Sequence, residues 1–149
     1  MHNINFEQVT KVQDTWDAAH RAFSDMSFAR EFGRHLIGRL VVMQPRIKAF
    51  YKDDEAMQKH ADNVISLLDA ILPMLGQHNE YIEELLIQVG HRHAKIGVNP
   101  GFFPYIGESL ICTLTRANPN EMSDEIGEAW EEVFGAIIRV IVKAALDVY

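Results

Sequence analysis

The chain has 149 residues, 48% of them hydrophobic, enough to bury a sizeable core without a metal or disulfide staple. Five prolines, nine glycines and no low-complexity run exclude a disordered, collagen-like or solenoid chain. A net charge of −7 with no cluster of Lys and Arg excludes nucleic acid and anionic membrane as expected partners.

The single cysteine, Cys112, excludes an intramolecular disulfide and suits a reducing, cytoplasmic location. Met1 to Asn5 is polar and lacks the apolar core of a signal peptide. Ala136 to Leu146 is the most apolar stretch, but Arg139 and Lys143 interrupt it, so no membrane span is expected.

Helical periodicity runs through almost the whole chain. A first helix opens at Asn5 and places Val9, Val12, Trp16, Ala19 and Phe23 on one side. Ser27 can cap a second, striped by Phe28, Phe32, Leu36, Leu40 and Met43 and ended by Pro45. A short turn, Arg46 to Tyr51, carries two aromatics. Asp53 or Asp54 then starts a long helix with Met57, Ala61, Val64, Leu68, Ile71 and Leu75 on its apolar face. Pro73 is expected to bend its end and Gly76 to stop it. Asn79 opens the next helix, which runs to about Lys95 before Gly97. Asn99-Pro100 reads as a cap and first-turn proline, followed by Phe103, Ile106, Leu110 and Leu114. Ser123 caps the last helix, where Asp124 and Glu125 favour its dipole and Ile126, Trp130, Val133, Ile137, Ile141 and Ala145 point inward. Six substantial helices and a short turn describe many helical bundles, so the histidines must decide.

Seven histidines are present. His91 and His93 form an HxH pair, but residues two apart on a helix diverge and cannot share one ion. Around His93 at helical spacing lie Ile82, Leu86, Val89 and Ile96, all apolar. Around His91 lie Glu84, Ile87, Gln88 and Lys95, mostly polar. His93 is therefore expected to face inward and His91 to face solvent. His60 also sits on an apolar face, with Ala56, Met57, Val64, Leu67 and Ile71 as neighbours. A lone imidazole on such a face is most often a hydrogen-bonded core residue. Two of them, on consecutive long helices, would each be costly to bury without a partner. They could face one another across a flat apolar cofactor, one bound to its metal and one near the open position, an arrangement that fits haem iron on a proximal histidine.

With these residues in view, the chain resembles the globin superfamily from about Val9 to Ala145. Val89-Gly-His-Arg-His-Ala-Lys-Ile-Gly-Val98 is similar to the proximal stretch of neuroglobins and flavohaemoglobin globin domains, where the histidine of an H-x-x-x-G-V pattern ligates iron. Phe103-Pro-Tyr-Ile-Gly-Glu-Ser-Leu110, Ala129-Trp130 and Phe134-Gly135 resemble the two helices that follow. His60-Ala-Asp-Asn-Val64 resembles the segment that carries a distal histidine and valine. The resemblance implies an all-α globin fold, about six long helices plus a short turn helix around a haem pocket, filling residues 1–149 as one domain. It implies haem b (iron protoporphyrin) ligated by His93, with His60 as distal donor or sixth ligand. Ile37 would lie above the haem and Phe50 would wedge against it, with Tyr51 a rival for that place. Val64, Val89, Ile96, Val98, Phe103 and Ile106 would complete the cofactor-binding set. Arg92 or Lys95 could pair with haem propionates, or be surface cations; Met57 is not expected to ligate iron.

The partners so implied are oxygen, carbon monoxide and nitric oxide. Reversible oxygen binding for storage, transport or scavenging needs only the haem and its pocket. A nitric oxide dioxygenase or peroxidase is the alternative, but flavohaemoglobins rely on an attached flavin reductase and a distal tyrosine. No reductase is expected within 149 residues and Ile37 replaces the tyrosine, so turnover would need an external reductase. A gas or redox sensor with two histidines on the iron is a third reading, and a haem-free regulatory bundle a fourth. The sequence leaves oligomeric state open.

Overall fold

A computed structural model describes residues 4–23 and 27–148, and among these six α-helices form along the apolar stripes, three of them opened by a side-chain cap. The N-terminus read above as polar lies outside the described residues as far as Asn3. Helix α1 (Phe6–Arg21) starts at Asn5, whose side chain accepts a bond from the Glu7 amide, and it buries Val9, Val12, Trp16 and Ala19. Helix α2 (Phe28–Met43) buries Phe28, Phe32, Leu36, Ile37 and Leu40. Ser27 occupies its N-cap position, yet with φ −105° and ψ −13° it makes no side-chain capping bond, so the expected cap is absent. An extended cap residue would have aimed its hydroxyl at the first free amides.

Pro45 stops α2 and opens a 3₁₀ turn, Pro45–Phe50. Asp53 accepts from the Ala56 amide at 2.8 Å and starts α3 (Asp54–Ile71). Contrary to the expectation that it bends α3, Pro73 lies beyond this helix in a separate 3₁₀ turn, Leu72–Met74. A proline has no N–H to continue the helical ladder, and here the last ladder bond runs from the Leu72 amide, immediately before Pro73, to the Leu68 carbonyl. Gly76, at φ +88°, makes the left-handed turn that leads to α4 (Asn79–Lys95), and Gly97, at φ +86°, terminates α4 the same way. Asn99 caps a 3₁₀ turn, Pro100–Phe102, so α5 (Phe103–Ala117) begins later than the proline signal suggests. A last 3₁₀ turn, Pro119–Glu121, precedes α6 (Asp124–Leu146), where Ser123 caps as expected. No strand occurs among the described residues, and no described helix is long and apolar enough to cross a membrane.

Helix α6 packs on α1, α4 and α5, while α2 packs on α3 and α5. The main core joins Trp16, Phe28, Phe32, Leu36, Ile65, Leu86, Leu110 and Trp130. Trp16 meets Phe28 and Phe32 edge-on at ring separations of 5.4 and 5.5 Å, the arrangement that aromatic quadrupoles favour. Its indole donates to Asp69 on α3 at 2.8 Å, which ties α1 to α3. Between α2 and α5 the Ser109 hydroxyl donates to the Leu36 carbonyl, so a buried polar group is satisfied. Gly90 brings α4 into backbone contact with α6. A Cβ at that position would stand 2.5 Å from the Ile141 carbonyl oxygen and 2.9 Å from the Ala144 Cβ.

Candidate cofactor site

The helices leave a cavity of about 340 Å³ between α3, α4, α5, α6 and the turn after α2. Three polar side chains line it: Tyr51, His60 and His93. The remaining wall is aliphatic or aromatic. Val64, Leu67, Leu68 and Ile71 come from α3, Leu86 and Val89 from α4, and Phe103 and Ile106 from α5. Phe134, Ile137, Ile138 and Ile141 of α6 are also part of it.

His93 reaches the cavity from the last turn of α4. Its Nδ1 bonds at 2.8 Å to the Val89 carbonyl one turn earlier. A carbonyl only accepts, so Nδ1 carries the proton and Nε2 is left with its lone pair free. This fixes the tautomer and aim that a metal-ligating imidazole needs. Phe103 packs edge-on against the ring, with centroids 5.3 Å apart.

His60 enters from α3. Its ring centroid is 6.0 Å from that of His93. Its Nδ1 is 2.6 Å from the Tyr51 hydroxyl. Burial in the first place, and the nearby His93 in the second, push its pKa down to about 4. At neutral pH His60 is therefore an uncharged imidazole with one donor and one acceptor nitrogen. Burial pushes the Tyr51 phenol up to about 12, so its proton is retained.

Of the positions expected at a cofactor, Phe50, His60, Val64, Val89, His93, Ile96, Val98, Phe103 and Ile106 all line this cavity. Ile37 does not. It is completely buried in a small separate cluster with Leu40, Ile47 and Ala61, and Leu40, one turn further along α2, lines the cavity instead. Phe50 and Tyr51 both border the cavity, but Phe50 is 40% exposed while Tyr51 packs against that cluster and holds His60. Arg92 and Lys95 are exposed, and Met57 is half-buried away from the cavity lining.

His91 does not line the cavity. It is half-buried in a separate groove of about 760 Å³ with Glu83, Glu132, Arg139 and Lys143. The close approach at Gly90 brings this edge of α4 against α6. The sequence reading missed the α6 wall and the Tyr51–His60 bond. Helical periodicity marks the first as buried without saying what it faces, and it carries no signal for the second.

The chemistry of the cavity fits a flat, apolar, metal-bearing cofactor. Among the described residues no group of three or more His, Cys, Asp or Glu is placed to hold a metal by itself. A metal held at His93 would need its other ligands from the cofactor. A metal–imidazole bond is about 2 Å long, so two imidazoles on one metal have ring centres roughly 6 Å apart. The separation found is 6.0 Å.

A globin family model matches residues 45–141, well over half of the chain. The chain is 23% identical over 118 residues to the flavohemoprotein of Rhizobium meliloti (strain 1021), covering 78% of this chain and 29% of that one. It is 29% identical over 98 residues to the flavohemoprotein of Bacillus subtilis (strain 168), covering 64% of this chain and 25% of that one. With flavohemoprotein B of Dictyostelium discoideum the identity is 27% over 93 residues, 62% of this chain and 22% of the relative. The chain thus spans less than a third of the length of these relatives. On the match to the family model, and in keeping with the strand-free helical architecture of its described residues and the paired histidines of its cavity, the chain belongs to the globin family.

Proposed function

We propose that residues 1–149 act as one cytoplasmic globin domain that holds haem b through His93 and binds oxygen, or another diatomic gas, reversibly. The observation that carries this reading is the pair of imidazoles across an apolar cavity, 6.0 Å apart, with Nδ1 of His93 held by its own helix. Haem supplies an iron that can take a gas at its open position. Nε2 of His93 is the protein ligand, and the Val89 carbonyl sets its orientation and basicity. Val64, Phe103 and Ile106 exclude bulk water and so slow oxidation of the cofactor. His60, uncharged, faces His93 across the cavity and, with its ring drawn back from ligand distance, would donate a hydrogen bond to a polarised gas. Storage, transport or scavenging of oxygen needs no more than this.

Absorption spectra of oxidised, reduced and carbon monoxide-treated protein test the reading, together with oxygen release in His60→Leu. A bond contributing about 1–2 kcal/mol predicts roughly 5- to 30-fold faster oxygen dissociation, with carbon monoxide release changing much less. Protein that takes up no haem refutes the proposal.

The 6.0 Å separation also favours a second reading, a sensor or redox module in which His60 is the sixth ligand at rest. In that case His60→Leu should accelerate gas association, and the reduced spectrum should shift from six- to five-coordinate. Nitric oxide dioxygenation or peroxide chemistry with an external reductase is the enzymatic alternative. The similarity to proteins named flavohemoprotein supports it.

A further inference from the structure

His60 can serve as hydrogen-bond donor or as metal ligand, and the two roles need opposite tautomers. A donor toward the cavity requires the proton on Nε2. A ligand through Nε2 requires the proton on Nδ1. The 6.0 Å between the rings matches the ligand role, and donation to a gas needs the His60 ring drawn back from His93, so the proton that decides whether Nε2 can ligate also decides which role is taken. Nδ1 is the atom that meets the Tyr51 hydroxyl, at 2.6 Å.

We infer that Tyr51 is a positioning residue that donates its phenolic proton to Nδ1 of His60, holds His60 in the Nε2–H tautomer, and so keeps it a donor to the gas rather than a ligand to iron. The case rests first on the length of the contact, since 2.6 Å is shorter than bonds donated by N–H and falls in the range of O–H donors. Among the described residues the Tyr51 hydroxyl has His60 as its only hydrogen-bond partner. If Nδ1–H donated to the Tyr51 oxygen, the phenolic proton of a half-buried side chain would be left without a protein acceptor. If the phenol donates, the phenolic proton and the Nδ1 lone pair are satisfied by one contact, and the remaining Nε2–H faces the cavity, where a bound gas would accept it. Tyr51 is well fixed for the task. It packs beside Ile47 and Leu40 at the end of the 3₁₀ turn, and its ring lies 5.5 Å from that of His60. No proton is transferred and no bond to the cofactor is formed by Tyr51. It acts only through His60.

This inference rests on the gas-binding reading, but its primary test does not need haem. Long-range ¹H–¹⁵N correlation spectra of full-length protein with ¹⁵N-labelled histidine report the tautomer of each ring. The His60 signal is identified by its absence in His60→Gln. Wild-type His60 should be the Nε2–H form. Tyr51→Phe keeps the ring and removes only the hydroxyl, and should shift the tautomer ratio toward Nδ1–H by roughly 2- to 10-fold. Tyr105→Phe, which removes a hydroxyl outside the cavity, should leave the ratio alone. In haem-loaded, reduced protein Tyr51→Phe should raise the ratio of six- to five-coordinate iron by a similar factor. A wild-type His60 in the Nδ1–H form overturns the inference, as does a Tyr51→Phe ratio equal to wild type. Absence of haem uptake refutes the proposed function while the tautomer measurement still stands.

Discussion

Replacing Gly90 by alanine should destabilise the protein although the same change stabilises most helices. In a helix interior alanine is favoured over glycine by about 1 kcal/mol, through its smaller loss of chain entropy. At Gly90 the added methyl would lie 2.5 Å from the Ile141 carbonyl oxygen, 2.9 Å from the Ala144 Cβ and 3.0 Å from the Ala145 amide nitrogen. None of these atoms can move by a side-chain rotation, so α4 and α6 must separate. Overpacking of this kind costs roughly 1–3 kcal/mol and more where backbone must shift. The clash should outweigh the propensity gain, leaving a net loss of about 1–2 kcal/mol. For a chain of this length that is a fall in Tm of roughly 2–8 °C. Gly38→Ala in α2 is the matched control, since nothing lies within 4 Å of its added methyl, and it should gain up to about 1 kcal/mol. Urea unfolding at matched haem content measures both. His93 follows Gly90 by one turn, so the Gly90 variant should also retain haem less well. A Gly90→Ala protein as stable as Gly38→Ala would refute the inter-helix contact as described.

His93→Ala should lose most of its haem during purification while His91→Ala keeps it, as read from the absorbance ratio of haem to protein; the reverse outcome would misassign the α4 face. Asp69→Ala removes the acceptor of the buried Trp16 indole and should cost about 1–3 kcal/mol in urea unfolding. Lys11→Met breaks only a surface ion pair with Glu125 and should move the same curve little. The His60 pKa, lowered to about 4, lies below the unfolded value near 6.5, so the unfolded chain binds the extra proton between these limits. Stability from this group is therefore full above about pH 6.5 and falls on acidification toward pH 4, by at most about 1.4 kcal/mol per unit. His60→Leu should flatten that part of the pH–stability curve, and an unchanged slope would count against burial as the cause.

Much of this protein is local, and local features are legible in a sequence. Asn5, Asp53 and Ser123 cap helices because their side chains reach amides two or three residues on, whatever surrounds them. Gly97 ends α4 because glycine adopts a positive φ there without strain, whereas Gly76, expected to stop α3, turns the chain five residues after that helix has ended at Ile71. The apolar face of each helix follows from its 3.6-residue period, and that period put His93 and His60 inside and made a cofactor between them the economical explanation. Which residues meet across that interior depends on the axial offset and rotation of one helix against another, and no period within a single helix encodes these. Leu40 rather than Ile37 borders the cavity because α2 packs against α3 at Ala61. His91 lies in a groove because Gly90 lets α4 touch the backbone of α6. The Tyr51–His60 bond joins a turn to a helix nine residues on, with the polypeptide changing direction between them, and only the folded chain brings the two atoms to 2.6 Å.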